Sequence, residues 1–237
     1  MRVFVTGASS DIGLAVCQTF LAKGWEVLAH YRTPRAKLNA IAGANSAKVK
    51  LLKIDFNDPA TIEKHLADHR DNYSECDALI NCAAFYAPEK FSEITADSVI
   101  RTFSVNVLPG LLFMRDMVPA MAQRKWGRIV HLSSIGVKFG GGSESFSYSL
   151  SKHALEFLPA DHRIWASSNI LLNVLRVGVT DTRIHLRNPS KSMAKRIEMI
   201  PIKRMAETSE IAKAVWFFGS EENSYITGQV VSISGGE

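Results

Sequence analysis

Seven short apolar runs recur along the chain at intervals far too long for hairpins: "RVFVT" (2–6), "EVLAHY" (26–31), "KVKLLKI" (48–54), "CDALIN" (76–81), "GRIVHLS" (127–133), "NILLNVLRV" (169–177) and "GQVVSIS" (228–234). The stretches between them carry apolar residues at helical spacing, as in "IGLAVCQTFLAKG" (12–24). A strand that is apolar at nearly every position is buried on both faces, and parallel neighbours need crossovers of helix length. The pattern therefore predicts an α/β chain with a doubly wound parallel sheet flanked by helices, ligands binding at the carboxyl ends of the strands. With 237 residues, 46% of them hydrophobic, a single domain over 1–237 is expected. Residues 139–145 ("FGGGSES") read as a loop inside it, and the polar, basic stretch 183–204 as a candidate substrate lid.

The charge pattern limits the partners. A formal charge of +5 invites nucleic acid, but the basic residues are scattered and thicken only in "RIHLRNPSKSMAKR" and "PIKR", without interleaved aromatics. A local anion site fits better. No apolar run approaches the roughly 20 residues of a membrane span, and strand and turn fill the first seven residues, so neither membrane nor signal peptide is expected and a cytoplasmic location is. Cys17, Cys76 and Cys82 are odd in number and lack metal-ligand spacing; reduced thiols and no bound metal are expected.

Two motifs carry chemistry. "TGASSDIG" (6–13) stands between the first strand and the first helix, where free N–H groups and the positive dipole end favour a phosphate. Asp11 puts a carboxylate into that place. Asp is also a favoured N-cap, so a capping side chain turned away from the phosphates is expected. The second motif is "YSLSK". Tyr148 and Lys152 are four apart and share one helix face, so a nearby ammonium would lower the phenol pKa and suit it to proton transfer. Ser134, in "HLSS" at a strand end, would hold an oxygen on which charge develops.

Taken in order, the glycine loop, "NCAA", "VNV", "LSS", "YSLSK" and "VGVTDT" resemble the short-chain dehydrogenase/reductase family over essentially the whole chain, particularly members acting as 3-oxoacyl-[acyl-carrier-protein] reductases. That resemblance implies a Rossmann-type fold, with Asn106, Ser134, Tyr148 and Lys152 as the catalytic set. Tyr148 would donate the proton, Ser134 orient the carbonyl, Lys152 also bind the nicotinamide ribose, and Asn106 hold a water joining Lys152 to solvent. It further implies a cofactor site from Thr6, Gly7, Ser9, Ser10, Asp11, Ile12 and Gly13, with Asp55 and Phe56 at the adenine. Asn81, which would stabilise the central sheet, and Ala83 also belong to that implied cofactor site, with Gly178, Thr180 and Thr182 at its carboxamide or phosphate end. Three positions depart from the family pattern: Asp11 for the middle glycine, Ala84 for the last glycine after "NCA", and Val177 for proline before Gly178. Pro159 interrupts the helix expected over "YSLSKHALEFLPADHRIWA".

Tyr31 stands where an NAD-preferring member would carry an acid, and Arg32 follows it. An arginine there meets a 2′-phosphate with charge-assisted bonds, so NADP(H) is the expected cofactor, against the alternatives of a solvated Arg32 and of Arg35 merely starting the next helix. The resulting expectation is an NADPH-dependent reductase of a ketone or aldehyde, a 3-oxoacyl thioester leading. The substrate is then a small carbonyl or alcohol, with an anionic or carrier-bound one docked by Lys125 or by 183–204 among the readings. The alternatives are a reductase of a sugar derivative, sterol or pteridine, and a non-enzymatic NADP(H) sensor or scaffold. By resemblance, and from the apolar stretches "ALEFL" and "AVWFFG", a homotetramer or homodimer is expected.

Overall fold

The computed structural model describes residues 1–188 and 192–237. Its strands are β1 (Arg2–Thr6), β2 (Glu26–Tyr31), β3 (Val49–Lys53), β4 (Ala78–Asn81), β5 (Gly127–Ser134), β6 (Ile170–Val177) and β7 (Val230–Ile233). Helices follow them as α1 (Asp11–Ala22), α2 (Ala36–Ala44), α3 (Pro59–Asp68), α4 (Arg70–Ser74), α5 (Ala96–Asn106), α6 (Leu108–Arg124), α7 (Phe146–Ala154), α8 (His162–Ala166), α9 (Met193–Glu198) and α10 (Thr208–Gly219). All seven predicted runs are strands, paired in parallel in the order β3-β2-β1-β4-β5-β6-β7.

Period-2 alternation explains why nearly every strand position is apolar. In β1, Val3 and Val5 face one helical layer, with Val16 and Phe20 of α1 and Val215 and Trp216 of α10. Phe4 between them faces the other, with Ile62 and Leu66 of α3 and Phe113 and Met117 of α6. The order reverses between β1 and β4, and the register there sets Thr6 beside Asn81, while that of β5 and β6 sets Ser134 beside Val177. The carboxyl ends of four strands thus align at the switch point, where such sheets bind ligands. β6 runs through Val177, in register with Ser134 on one side and Ile233 on the other.

Two expectations need correction. The helix over 148–166 is broken: α7 stops at Ala154, and Pro159 lies in the connection to α8, where its missing N–H and fixed φ cost nothing. "AVWFFG" is core rather than surface, since Trp216 and Phe218 are each 6% exposed and Trp216 packs edge-on against Phe20 at 5.0 Å; in "ALEFL" Leu155 is buried and Phe157 stands 87% exposed. Lys125, exposed, forms the left-handed C-cap of α6 just before β5 begins, at the amino ends of the strands and away from the carboxyl ends. The candidate lid 183–204 contains a 3₁₀ turn, Arg183–Arg187, and α9; its positions 189–191 lie outside the described residues. The three cysteines are buried free thiols.

Candidate active site

A cleft of about 900 Å³ opens over the aligned strand ends. Its floor is the first turn. Gly7 adopts φ +65°, and a Cβ on it would lie 2.7 Å from the Ala83 backbone; a Cβ on Gly13 would strike the Gly7 carbonyl. Both glycines are therefore demanded by backbone approach. Ser10 is the N-cap, accepting from Gly13 N–H at 3.0 Å, while its own N–H donates to the Gly7 carbonyl. Among the described residues, the N–H groups of Ser9, Asp11 and Ile12 in this turn have no acceptor, and all three residues line the cleft.

Asp11 is thus not the cap but the first helical residue. Its carboxylate accepts from the Arg183 backbone N–H at 2.9 Å, from Arg183 Nε at 2.9 and 3.1 Å, and from Nη2. Sequence reading missed this because the two residues are 172 positions apart.

His30, in β2, also escaped the motif reading. Its Nε2 lies 3.1 Å from the Ile54 carbonyl and must donate there, which leaves Nδ1 to accept the Gly7 N–H at 3.0 Å. The ring stacks on Phe56 at 3.9 Å, and burial holds its pKa down to about 4, so it stays neutral. The signal was present in "HYR": a polar residue inside an apolar strand. Beyond β2, Arg32, Thr33 and Arg35 line the cleft with Asp55 and Phe56, and Arg35 Nη1 is buried with no hydrogen-bond partner among the described residues. Arg35 therefore does more than start α2: an orphaned guanidinium amino group is an unmet demand for an anion.

At the other end of the cleft, Ser134, Tyr148 and Lys152 come together from β5 and α7. Ser134 hydrogen-bonds the phenol, and Tyr86 packs edge-on against Tyr148 at 5.4 Å. Lys152 Nζ donates to the Leu132 carbonyl at 2.7 Å and lies 5.9 Å from the Tyr148 ring centre. Burial dominates both groups. It raises the phenol to about 12 against the opposing Ser134 bond, and lowers the ammonium to about 8. The expected lowering of Tyr148 by Lys152 does not hold in this arrangement, where burial raises the phenol and the ammonium is committed to the Leu132 carbonyl.

Asn106 is fully buried and its side chain is fully engaged: Oδ1 accepts Phe85 N–H at 2.6 Å, and Nδ2 donates to the Phe85 carbonyl at 3.0 Å and to Ser151 Oγ at 2.8 Å. It clamps the 85–86 segment to α7 rather than facing the cleft. Thr6, Gly13, Tyr31 and Asn81 also lie behind the cleft wall. Thr6 Oγ1 donates to Asn81 Oδ1 at 2.8 Å and accepts Ala83 N–H at 3.1 Å, locking β1 to β4 under the loop. Gly7, Ser9, Ser10, Asp11, Ile12, Arg32, Ala83, Gly178, Thr180 and Thr182 all line it. Gly178 is required, since a Cβ would lie 2.6 Å from Ser234 Cα.

The chain matches known proteins over nearly its whole length. The family model described as Enoyl-(Acyl carrier protein) reductase matches residues 7–237. The chain is 29% identical to the 3-oxoacyl-[acyl-carrier-protein] reductase FabG of Salmonella typhimurium, over 98% of this chain and 95% of that one. It is 28% identical to the acetoacetyl-CoA reductase of an Acinetobacter species, over 98% and 95%. Among solved structures, YwfH, described as an NADPH dependent reductase involved in bacilysin biosynthesis, superposes with a TM-score of 0.85 at 26% identity, covering 99% of this chain and 97% of that one. A short-chain dehydrogenase/reductase from Serratia marcescens gives 0.85 at 26%, covering 99% and 96%.

Proposed function

The chain belongs to the short-chain dehydrogenase/reductase family of oxidoreductases, which use a nicotinamide cofactor, and from that premise we propose that it reduces a ketone or aldehyde with NADPH, a 3-oxoacyl thioester leading. The observation that carries the reading is the meeting of Ser134, Tyr148 and Lys152 at the far end of one cleft from Arg32 and Arg35. A dinucleotide suits that span. The free N–H groups at the start of α1, held in place by the close packing of Gly7 and Gly13, suit a pyrophosphate, and the orphaned Arg35 Nη1 beside Arg32 suits a 2′-phosphate. The description of YwfH as NADPH dependent supports the same choice.

When bound, the nicotinamide supplies the hydride. The chain supplies the rest. Ser134, hydrogen-bonded to Tyr148, holds the substrate oxygen within reach of the phenol, which burial keeps protonated at neutral pH and which therefore enters reduction as a loaded acid. Lys152, its ammonium favoured below about pH 8, would hold the ribose and sets a positive charge one helical turn from the phenolate that proton donation leaves. Asn106 keeps the Phe85–Tyr86 wall against α7 so that the ring of Tyr86 bounds the pocket. Phe85, Tyr86, Ile135, Phe139 and Met199 make that pocket largely apolar, which suits an acyl chain. FabG and the Acinetobacter enzyme bear names of 3-oxoacyl reductases, which supports the thioester.

The test follows NADPH absorbance as acetoacetyl-CoA and a panel of ketosugars, ketosteroids and pteridines are added to purified protein. Oxidation with acetoacetyl-CoA is expected. Binding of NADPH without turnover on any carbonyl would instead support a sensor.

A further inference from the structure

We propose that Arg183 is the charge-compensating residue of the pyrophosphate site: it neutralises Asp11 and turns its remaining guanidinium donors to the phosphates. The proposal rests on the dinucleotide reading above, and it concerns the one position of the glycine loop where an anion stands in the way of another.

The carboxylate of Asp11 has no local duty. Ser10 caps α1, and the Asp11 side chain, 25% exposed, makes its hydrogen bonds to Arg183 alone. A bare carboxylate a few ångströms from a pyrophosphate repels it, and in a half-desolvated cleft that repulsion outweighs the dipole attraction of the helix end for either anion. Arg183 removes the conflict in two ways. Its backbone N–H, Nε and Nη2 all donate to Asp11, a bidentate fork reinforced by a main-chain bond. Its Nη1 has no partner among the described residues, and its side chain, 51% exposed, lines the same cleft as Gly7, Ser9 and Ile12. A guanidinium carries five N–H donors, so pairing with one carboxylate leaves donors for a second anion.

The geometry also accounts for where Arg183 sits. It begins the 3₁₀ turn directly after Thr182, on the rim facing α1, and bridges to the loop from a part of the chain with no sheet contact to β1. An exposed ion pair adds little to stability by itself. Its consequence is electrostatic: the loop presents a net neutral pair with an outward cation instead of a lone negative charge.

The test is calorimetric titration of NADPH, NADH and adenosine 2′-monophosphate into wild type, Arg183→Ala, Asp11→Asn and the double variant, with folding checked by circular dichroism. Arg183→Ala is expected to weaken NADPH and NADH alike by about ten-fold or more. Adenosine 2′-monophosphate, which lacks the pyrophosphate, should bind unchanged. Adding Asp11→Asn to Arg183→Ala should restore most of the loss, because the repelling charge is gone. Arg183→Lys, which keeps the charge without the fork, should fall between. Unchanged or tighter dinucleotide binding by Arg183→Ala overturns the proposal, and so does a double variant no better than Arg183→Ala, which would mark the pair as a mere strap. If Arg183→Ala does not fold, Arg183→Lys with and without Asp11→Asn decides by the same recovery. Wild type that binds neither dinucleotide removes the underlying cofactor reading, and this proposal with it.

Discussion

Lowering the pH from about 7 to about 5 is expected to remove about 2 kcal/mol of stability for each of two buried histidines, His30 and His131. Both are nearly inaccessible, at 3% and 2% exposure, and burial holds both pKa values down to about 4 from 6.5. The causes differ in detail. His30 Nδ1 must accept the Gly7 N–H, so a proton there would set two donors against each other. His131 Nδ1 is buried without a partner among the described residues, and the charge of Lys152 further opposes its protonation. For a depressed histidine the unfolded chain takes up protons first: stability is intact above about 6.5 and is lost as the pH falls toward 4, by about 3 kcal/mol per histidine in full. Urea denaturation at the two pH values reads the difference. His131→Leu should roughly halve the pH dependence and change stability little at pH 7. His30→Leu should also halve it, but cost about 1–3 kcal/mol at pH 7, because the buried Gly7 N–H loses its acceptor. Wild type equally stable at both pH values, or a His131→Leu protein with the full pH dependence, would refute the reasoning.

Tyr148→Phe is expected to abolish carbonyl reduction while leaving NADPH affinity within about two-fold; a Phe variant that still turns over would remove Tyr148 as the acid. Arg32→Ala and Arg35→Ala should each weaken NADPH by about ten-fold to a hundred-fold and NADH hardly at all, measured by titration, since only the 2′-phosphate distinguishes the two cofactors. Association into a homotetramer or homodimer is expected through the exposed Phe157 and Ile164, 87% and 69% accessible, and the part-exposed edge strand β7; a monomer by light scattering at micromolar concentration would refute it.

The site divides between what one segment states and what several must meet to make. The glycine loop, Ser134, Tyr148 and Lys152 were legible because each lies in a short motif whose spacing is itself the geometry: i and i+4 on a helix, or a turn between strand and helix. Asn106 was legible as a position but not as a group, since its engagement with Phe85 and Ser151 depends on how α5 meets α7. The phenol pKa was misread for the same reason. Spacing shows that Lys152 is near Tyr148, but burial, which raises the phenol, and the Leu132 carbonyl, which holds the ammonium, belong to the packed site.

By itself the sequence determined the seven strands, their parallel pairing and the end of the sheet that binds, because strand periodicity and crossover length are local properties of the chain and leave the backbone few ways to satisfy its hydrogen bonds. Only the tertiary structure decided what becomes of the charges. Asp11 meets Arg183 from 172 residues away, Gly7 finds its acceptor in His30, and Lys125 is carried to the amino ends of the strands. Whether a charge repels, caps or pairs depends on distance and solvent exposure in three dimensions, and Coulomb energy between groups on different elements has no signature in the order of the residues.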